Sequence, residues 1–412
     1  MEKGLKVMPR SKVRIPFSPP EITNEDRMAV MRVLESGWIT TGAVAKQFEH
    51  ELASYVGVQR VAVLNSATAA LEIALRLLNI GEGDEVITTP YTYAASANVI
   101  LHVGARPVFV DIKSDGFNID PDAVSKAITS RTKAILCVDI AGYPCDYNEL
   151  KQVMEAKRGF FSAQSDQPWL NDLGRIALIA DAAHSFGATY HGQHSGALAD
   201  LTAFSFHAVK NLTTGEGGAL CFNNIGSQSS GQVYEQIMLW SLHGQNRDAL
   251  SKSQLGQWRY DIMFAGYKCN MPDMVAALGL SQLQRYKTSL AKRREHYQYY
   301  QRVLQPLKGR VELPLWDDLA CTSAYHLALV TFIDYTEKKR DHLIEQLAIS
   351  GVSTNVHFQP LPLLTAYKER GYQIADYPLA YKRYSQVISL PLYVTLTREE
   401  IDFVAEQLIE NI

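Results

Sequence analysis

The sequence predicts an α/β fold, with a large domain built on a mostly parallel sheet and a smaller C-terminal α+β domain. Three observations carry this. Between Val61 and Ala180 short β-branched runs alternate with turn residues and helical periods, the pattern of strands joined by crossover helices. The runs Thr132–Val138 and Ile176–Ala180 are strongly apolar rather than alternating, as in strands covered on both faces. The chain has 412 residues, more than one core ordinarily organises, so a second unit is needed.

Residues 1–24 contain Pro9, Pro16, Pro19 and Pro20 without a helical period and read as an extended arm. Met28, Met31, Val33 and Leu34 set a helix over Glu25–Ser36; Gly37-Trp-Ile-Thr-Thr-Gly42 breaks it, and Lys46–Val56 is helical again. The strand Val61–Leu64 precedes the turn Asn65-Ser-Ala-Thr68 and a helix Ala69–Leu78. Strands at Glu85–Thr88 and Pro107–Ile112 are followed by helices near Ala94–His102 and Pro121–Ile128, the last opened by Asp120 with a proline after it. Lys157–Asp172 is polar and aperiodic and reads as a surface insertion, while Asn223–Gly231 and Asp248–Gln257 read as flexible loops.

Past Gly266 a long helix has an apolar part, Met274–Tyr286, and a basic continuation through Lys292, Arg293 and Arg294 to Leu304, read as a solvated face. A strand at Tyr325–Ile333, a helix Glu337–Ser350 ended by Gly351 and a last helix Arg398–Glu410 complete the chain. The expected division is an arm at 1–24, a large domain at 25–285 and a small domain at 286–412. No internal repeat is evident.

Composition narrows the function. With 47% hydrophobic residues, 20% charged residues and a formal net charge of -3, the chain resembles a soluble enzyme and lacks the basic footprint of a nucleic-acid or membrane binder. No run approaches the roughly 18 apolar residues of a membrane span. Glu2, Lys3 and Lys6 have no apolar core behind them, so an unprocessed cytoplasmic protein is expected. The five cysteines are dispersed, odd in number and without a C-x-x-C pair, which suits a reducing compartment and suggests neither disulfides nor a zinc ribbon.

Three clusters fall after strands, where an α/β sheet presents its sites. Asn65-Ser66-Ala67-Thr68 opens a helix and can cradle a phosphate with free N–H groups and hydroxyls, or be an ordinary N-cap. Asp181 ends an apolar strand; it meets a cation or strong donor there, or caps a helix. Ser205 and His207 alternate with Phe204 and Phe206 along a strand leading to Lys210, before a glycine-rich turn, Gly215–Gly218, so one face could offer a hydroxyl, an imidazole and an amine together. Desolvation there can lower the Lys210 amine enough to make it a carbonyl-binding nucleophile. In Pro90-Tyr91-Thr92-Tyr93-Ala94-Ala95, after a strand, a tyrosine can stack on a flat ring or pack in the core. His184, His191, His194 and His207 bring no tight carboxylate or thiol set, so metal is not expected. Phosphate cradle, stacking ring, acid for a pyridinium nitrogen and lysine for an aldehyde together match one coenzyme, pyridoxal 5'-phosphate.

The chain resembles the DegT/DnrJ/EryC1/StrS aminotransferases, fold-type I pyridoxal-phosphate enzymes that aminate nucleotide-linked keto sugars. The resemblance runs from Gly37-Trp-Ile-Thr-Thr-Gly42 through Asn65-Ser-Ala-Thr-Ala-Ala-Leu71, Asp181-Ala-Ala-His184 and Ser205-Phe-His-Ala-Val-Lys210 to Val356-His-Phe358 and Leu390-Pro-Leu392. It implies a seven-stranded sheet, with Lys210 bonding the cofactor aldehyde and Asp181 holding the ring nitrogen. Ser66, Ala67, Thr68 and Ser205 would grip the phosphate, Tyr93 would stack on the ring, and His184 would lie near its phenolic oxygen. Gly266-Tyr-Lys-Cys-Asn270 aligns with a segment that reaches the neighbouring subunit's phosphate, which implies a homodimer with shared sites and a role for Lys268 or Asn270. The Lys268 and Asn270 variant is similar to the aminoarabinose-type branch. His357 and Trp38 would line the substrate cleft, His357 being equally compatible with a buried structural imidazole.

The implied reaction transfers an amino group from an amino acid, L-glutamate by resemblance, to a keto group of a nucleotide-linked deoxysugar, with UDP-linked 4-keto sugars favoured, in glycan biosynthesis. Two alternatives stand beside it. Related dehydratases replace the lysine with histidine, and Lys210 argues against that class. A non-catalytic sugar-nucleotide sensor would not need Lys210, Asp181 and Ser205 together. His207 has no assigned role.

Overall fold

The computed structural model describes residues 14–164, 166–247 and 258–412. The first thirteen residues of the expected arm and the loop expected at 248–257 lie outside the described residues. The apolar runs form strands β1 (Arg60–Leu64), β2 (Glu85–Thr88), β3 (Arg106–Phe109), β4 (Thr132–Val138) and β5 (Ala177–Asp181). Two short strands follow, β6 (Thr189–Tyr190) and β7 (Gln193–His194), then β8 (Leu201–Ser205) and β9 (Gly218–Phe222). Seven of these make one sheet in the order β1-β9-β8-β5-β4-β2-β3.

Pairing is parallel from β3 through β2, β4 and β5 to β8, whereas β9 runs antiparallel to both β8 and β1. β9 was not legible as a strand; the glycine-rich turn before it reverses the chain and lays Gly218 opposite Ser205. Every residue of β4 and β5 is buried, as their unbroken apolar runs require. The register aligns Val138 with Asp181 and Asp181 with Ala203. The carboxyl ends of β4, β5 and β8 therefore stop side by side, and the loops after them share one edge.

Helices cover this edge and its faces: α1 (Asn24–Ser36), α2 (Ala43–Val56), α3 (Ala67–Leu77) and α4 (Ala95–His102) come first. Thr23 and Asp26 form a capping box at the start of α1. Helix α2 lacks a side-chain cap of its own. The carboxylate of Asp273, 2% exposed, instead accepts from the N–H groups of Gly42 at 2.7 Å, Val44 at 3.2 Å and Ala45 at 2.9 Å.

Asp273 begins a continuous helix, Asp273–Val303, which runs through the domain boundary expected at 285. Its basic stretch corrects the reading as a solvated face. Arg294 is half exposed and pairs with Asp317, but Arg293 is buried, donating from Nε to the Tyr325 carbonyl at 2.9 Å and from Nη2 to the His326 carbonyl at 2.8 Å. A buried guanidinium is tolerable where fixed acceptors replace its water.

Beyond that helix, β10 (Val311–Glu312), β11 (Cys321–Thr322), β12 (Ala328–Phe332) and β13 (Val387–Leu390) appear. β10, β12 and β13 form an antiparallel sheet packed with helices Glu337–Ile349 and Arg398–Asn411. β11 pairs with β6, so the chain near residue 321 returns to the large sheet's side. The expected surface insertion at 157–172 is also more ordered than its polarity suggested. It contains a helix, Pro168–Leu173, anchored by fully buried Leu170 and by Gln167 Nε2 donating to Asp84 at 2.6 Å. Among the described residues, no helix is long and apolar enough to cross a membrane.

Replacing Asp273 with Ala leaves three N–H groups at the buried start of α2 without an acceptor. About 2–4 kcal/mol of stability is expected to go with them. A thermal melt lowered by several degrees is the expected outcome; an unchanged melt contradicts the capping role.

Candidate active site

A cavity of about 500 Å³ opens at the shared edge of β4, β5 and β8, beside the starts of α3 and α4. Residues 326, 357 and 358 close it from the C-terminal side. Position at the carboxyl ends of parallel strands is where α/β sheets offer binding sites.

Asp181 lies in this edge at the end of β5, 6% exposed. Its Oδ2 accepts from Ser96 Oγ at 2.7 Å, and its Oδ1 from the Ala183 N–H at 3.2 Å. Both donors are neutral, and the Lys210 charge acts on Asp181 only from farther off. Burial pushes the Asp181 carboxyl up from its ordinary range, while the Ser96 hydroxyl, the Ala183 amide and the more distant Lys210 oppose this. A cation placed against Asp181 would keep it ionised. Behind it, Asp139 accepts from Ser185 Oγ at 2.7 Å, Tyr147 Oη at 3.0 Å and the Cys145 N–H at 2.8 Å, a buried network that ties the loop after β4 to the loop after β5.

Ser66, Ala67 and Thr68 line the cavity at the start of α3. Both readings of this turn coexist: Ser66 is the N-cap, accepting from the Ala69 N–H at 3.1 Å, and the turn still faces the cavity. A Cβ on Gly218 would stand 2.3 Å from the Ser66 carbonyl carbon and 2.4 Å from Ala67 N. The absent side chain lets β9 press against this turn, leaving amides and hydroxyls for an anion.

Lys210, Ser205 and His207 also line the cavity. Strand β8 ends at Ser205, so His207 stands past it; its imidazole is exposed and lies 3.6 Å from Glu216. Desolvation pulls the Lys210 amine down from 10.5 to about 8, against the opposing pull of Asp181. Of the two tyrosines in the Pro90–Ala95 segment, Tyr91 is buried in the core and Tyr93 is 68% exposed at the cavity, 6.4 Å from the Phe358 ring.

Three imidazoles gather here. His184 Nδ1 accepts from the Ala141 N–H at 3.3 Å, and its ring stacks on Phe358 at 5.6 Å and 18°. His326 lies 4.4 Å from His184, centroid to centroid. His357 Nδ1 is 2.8 Å from Ser389 Oγ, and its ring stacks on Phe17. Burial first, and then the Lys210 charge, push His184 well below the ordinary imidazole value and His357 down to about 3. Ser96 and His326 were missed from the sequence, and Phe358 stood in the resembling Val356-His-Phe358 stretch without a role. Ser96 sits in a run of small residues after Tyr93, and His326 falls inside the strand expected at Tyr325–Ile333, which in the structure begins only at Ala328; neither pattern signals a site by itself.

Lys268, Asn270 and Trp38 are not brought into this cavity. Lys268 Nζ donates to Asn270 Oδ1, and Asn270 Nδ2 donates to Thr41 Oγ1 at 2.5 Å. Their segment backs the cradle turn from outside, the Asn65 N–H donating to the Cys269 carbonyl at 2.7 Å. Trp38 Nε1 donates to the Thr41 carbonyl at 3.3 Å, and its ring borders a separate surface cleft. Among the described residues, no group of three or more His, Cys, Asp or Glu side chains could hold a metal ion.

A desolvated lysine, a buried acid with only neutral donors and an anion cradle around one cavity define the class of pyridoxal-phosphate-dependent enzymes. The chain belongs to the DegT/DnrJ/EryC1/StrS aminotransferase family, whose model matches residues 20–409. It is 38% identical to the spore coat polysaccharide biosynthesis protein SpsC of Bacillus subtilis over 399 residues, 95% of each chain. Among solved structures it is similar to Spr1654 from Streptococcus pneumoniae, an inferred sugar aminotransferase. The PMP form superposes with TM-score 0.93 at 45% identity, covering 97% of this chain and 99% of that one. The PLP form gives 0.91 at 43%, covering 96% and 98%. More distantly, DesI, determined with its TDP-sugar product, gives 0.79 at 26%, covering 96% and 92%. The protein is thus a sugar aminotransferase that uses pyridoxal phosphate, and the cation-free Asp181 and the Gly218 cradle fit that cofactor.

With cofactor removed, Lys210 should react with an amine-selective reagent with a midpoint near pH 8, below the ordinary lysine value of 10.5. Asp181→Asn removes the charge that supports protonation, so the midpoint should fall further. Quantitative labelling followed by peptide mass mapping reads both; a midpoint near that of surface lysines contradicts the desolvated amine.

Proposed function

We propose that this aminotransferase moves an amino group from an amino acid, L-glutamate, to the keto group of a nucleotide-linked deoxysugar, a UDP-linked 4-keto sugar being the favoured acceptor, for surface glycan biosynthesis in the cytoplasm. The observation that carries the reading is the single cavity shared by Asp181, Lys210 and the Ser66–Thr68 cradle. In this reading residues 25–285 hold the cofactor and residues 286–412 close over it with His326 and His357.

Ser66, Ala67, Thr68 and Ser205 would bind the phosphate with amide and hydroxyl donors. Tyr93 would cover the ring face and His184 would stand near its phenolic oxygen. Asp181 would hold the proton on the ring nitrogen through a charge-assisted hydrogen bond. When bound, the cofactor supplies an electron sink for the carbanion formed beside the transferred nitrogen. Lys210 Nζ would hold the aldehyde at rest and, once displaced, take a proton from the donor's α-carbon and return it as acid. An amine poised at about 8 suits both directions of that transfer.

Nucleotide linkage is supported by the likeness to a structure holding a TDP-sugar product, and a glycan role by the likeness to SpsC. A homodimer is supported by exposed apolar side chains on and after α1, Met28 at 55% and Ile39 at 52%, and by Met263 at 60% near the Lys268 segment. In that dimer Lys268 or Asn270 would complete the partner's phosphate site, and Trp38 would contribute to the substrate cleft.

Two experiments test this. Incubated with glutamate and a panel of keto sugar nucleotides, the purified enzyme should aminate a UDP-linked 4-keto sugar, identified by product NMR, and Lys210→Ala should abolish the reaction. Amination by Lys210→Ala, or no turnover of any nucleotide-linked acceptor, overturns the assignment. Mixing inactive Lys210→Ala and Asn270→Ala chains should restore activity that neither has alone, since one site of each mixed dimer carries no lesion. Failure of complementation between two inactive variants contradicts the shared site.

A further inference from the structure

His326 lies beside His184 in the cavity that Lys210 also lines; beyond closing that cavity it has no chemical role in the function above, and its surroundings determine where its proton lies. Asn211, the residue after Lys210, donates from Nδ2 to the Ala324 carbonyl at 2.6 Å. That bond orients its amide, so Asn211 Oδ1, 3.0 Å from His326 Nδ1, can only accept, and Nδ1 carries the proton. His184 is set the other way: its Nδ1 accepts from the Ala141 N–H, which leaves its proton on Nε2. Two rings 4.4 Å apart thus hold opposite tautomers.

Backbone contacts fix the His326 ring further. Arg293 holds the Tyr325 and His326 carbonyls from the long helix, and the His326 N–H donates to the Ala141 carbonyl at 3.1 Å. The charged or titratable neighbours are His184, Lys210, Arg293 and His357. No acid faces the ring among them, and burial with those neighbours keeps the imidazole neutral. Among the described residues His326 Nε2 has no hydrogen-bond partner, yet it is not an orphaned fully buried atom. Its residue lines the cavity.

We propose that His326 Nε2 is a hydrogen-bond acceptor of the cavity, receiving an N–H of the amino group in transit and orienting that nitrogen without taking its proton. This rests on the aminotransferase reading of the cavity. The chemistry follows from the surroundings: the Nε2–H of His184 and the protonated Lys210 are donors, so a transferred amine entering beside them can place an N–H on the free lone pair of His326. Both half-reactions place such a nitrogen beside Lys210, so one acceptor serves the amino-acid donor and the aminated product alike.

The isosteres of histidine separate this role from a purely structural one. His326→Asn keeps a polar group at the Nδ1 position, for Asn211, and removes the acceptor at Nε2; His326→Gln restores a carbonyl near Nε2. His326→Asn should fold and take up pyridoxal phosphate with an unchanged absorption spectrum but lose about tenfold to a hundredfold in kcat/KM, and His326→Gln should recover most of it. Nitrogen-15 NMR of histidine-labelled holoenzyme, with the His326 signal assigned by its loss in His326→Asn, should show the neutral Nδ1–H tautomer. Addition of L-glutamate should shift that Nε2 resonance upfield as it accepts a hydrogen bond. Wild-type kcat/KM in His326→Asn, an Nε2–H tautomer, or an Nε2 resonance indifferent to glutamate that has converted the cofactor to its amine form each overturns the proposal. The tautomer is read without turnover, so a wrong sugar acceptor would leave this test intact.

Discussion

A carboxylate at the end of a strand buried on both faces must be compensated, and the compensation of Asp181 organises the site. Its position follows from the parallel register that aligns β4, β5 and β8. The neutral donors Ser96 and Ala183 satisfy its lone pairs without neutralising it. Desolvation of this kind makes an ionised carboxylate costly unless a cation arrives. A protonated heterocycle held there would supply that cation, which ties binding of the cofactor to the electrostatics of the empty chain.

Lys210 has the complementary problem. Its amine shares the desolvated edge with Asp181 and is brought to about 8, reactive rather than inert. The imidazoles around it stay neutral because burial and the lysine charge both disfavour their protonation. Closure depends on the C-terminal part of the chain, whose placement runs through Arg293. A guanidinium from the long helix grips two carbonyls just before β12, and the same stretch carries His326 against Asn211. The residue that follows the lysine therefore reads the position of the opposite wall.

Much of this was legible before any coordinates. Strand positions were set by unbroken apolar runs, and β2 and β4 start and end where those runs do. Asp181, Lys210 and the Ser66 turn were legible because polar groups immediately after apolar strands are unusual enough to need a reason. What escaped notice depended on tertiary contacts. Arg293 looked like its exposed neighbour Arg294, and only the Tyr325 and His326 carbonyls distinguish them. Gly218 read as part of a turn, while its lack of a side chain matters for the approach of β9 to Ser66. Gln167 and Leu170 were hidden in a polar segment because a six-residue helix is too short to show a period. Lys268, Asn270 and Trp38 bond outside the cavity of their own chain, to Asn270, Thr41 and the Thr41 carbonyl.

The central claim is that Lys210 and Asp181 act on one cofactor in this cavity. Borohydride reduction of the protein loaded with pyridoxal phosphate, followed by proteolysis and mass mapping, tests it most directly. A phosphopyridoxyl group fixed on Lys210, and lost together with the bound chromophore in Asp181→Ala, is the predicted result. Attachment to a different lysine, or none at all in a protein that holds the cofactor, would contradict it.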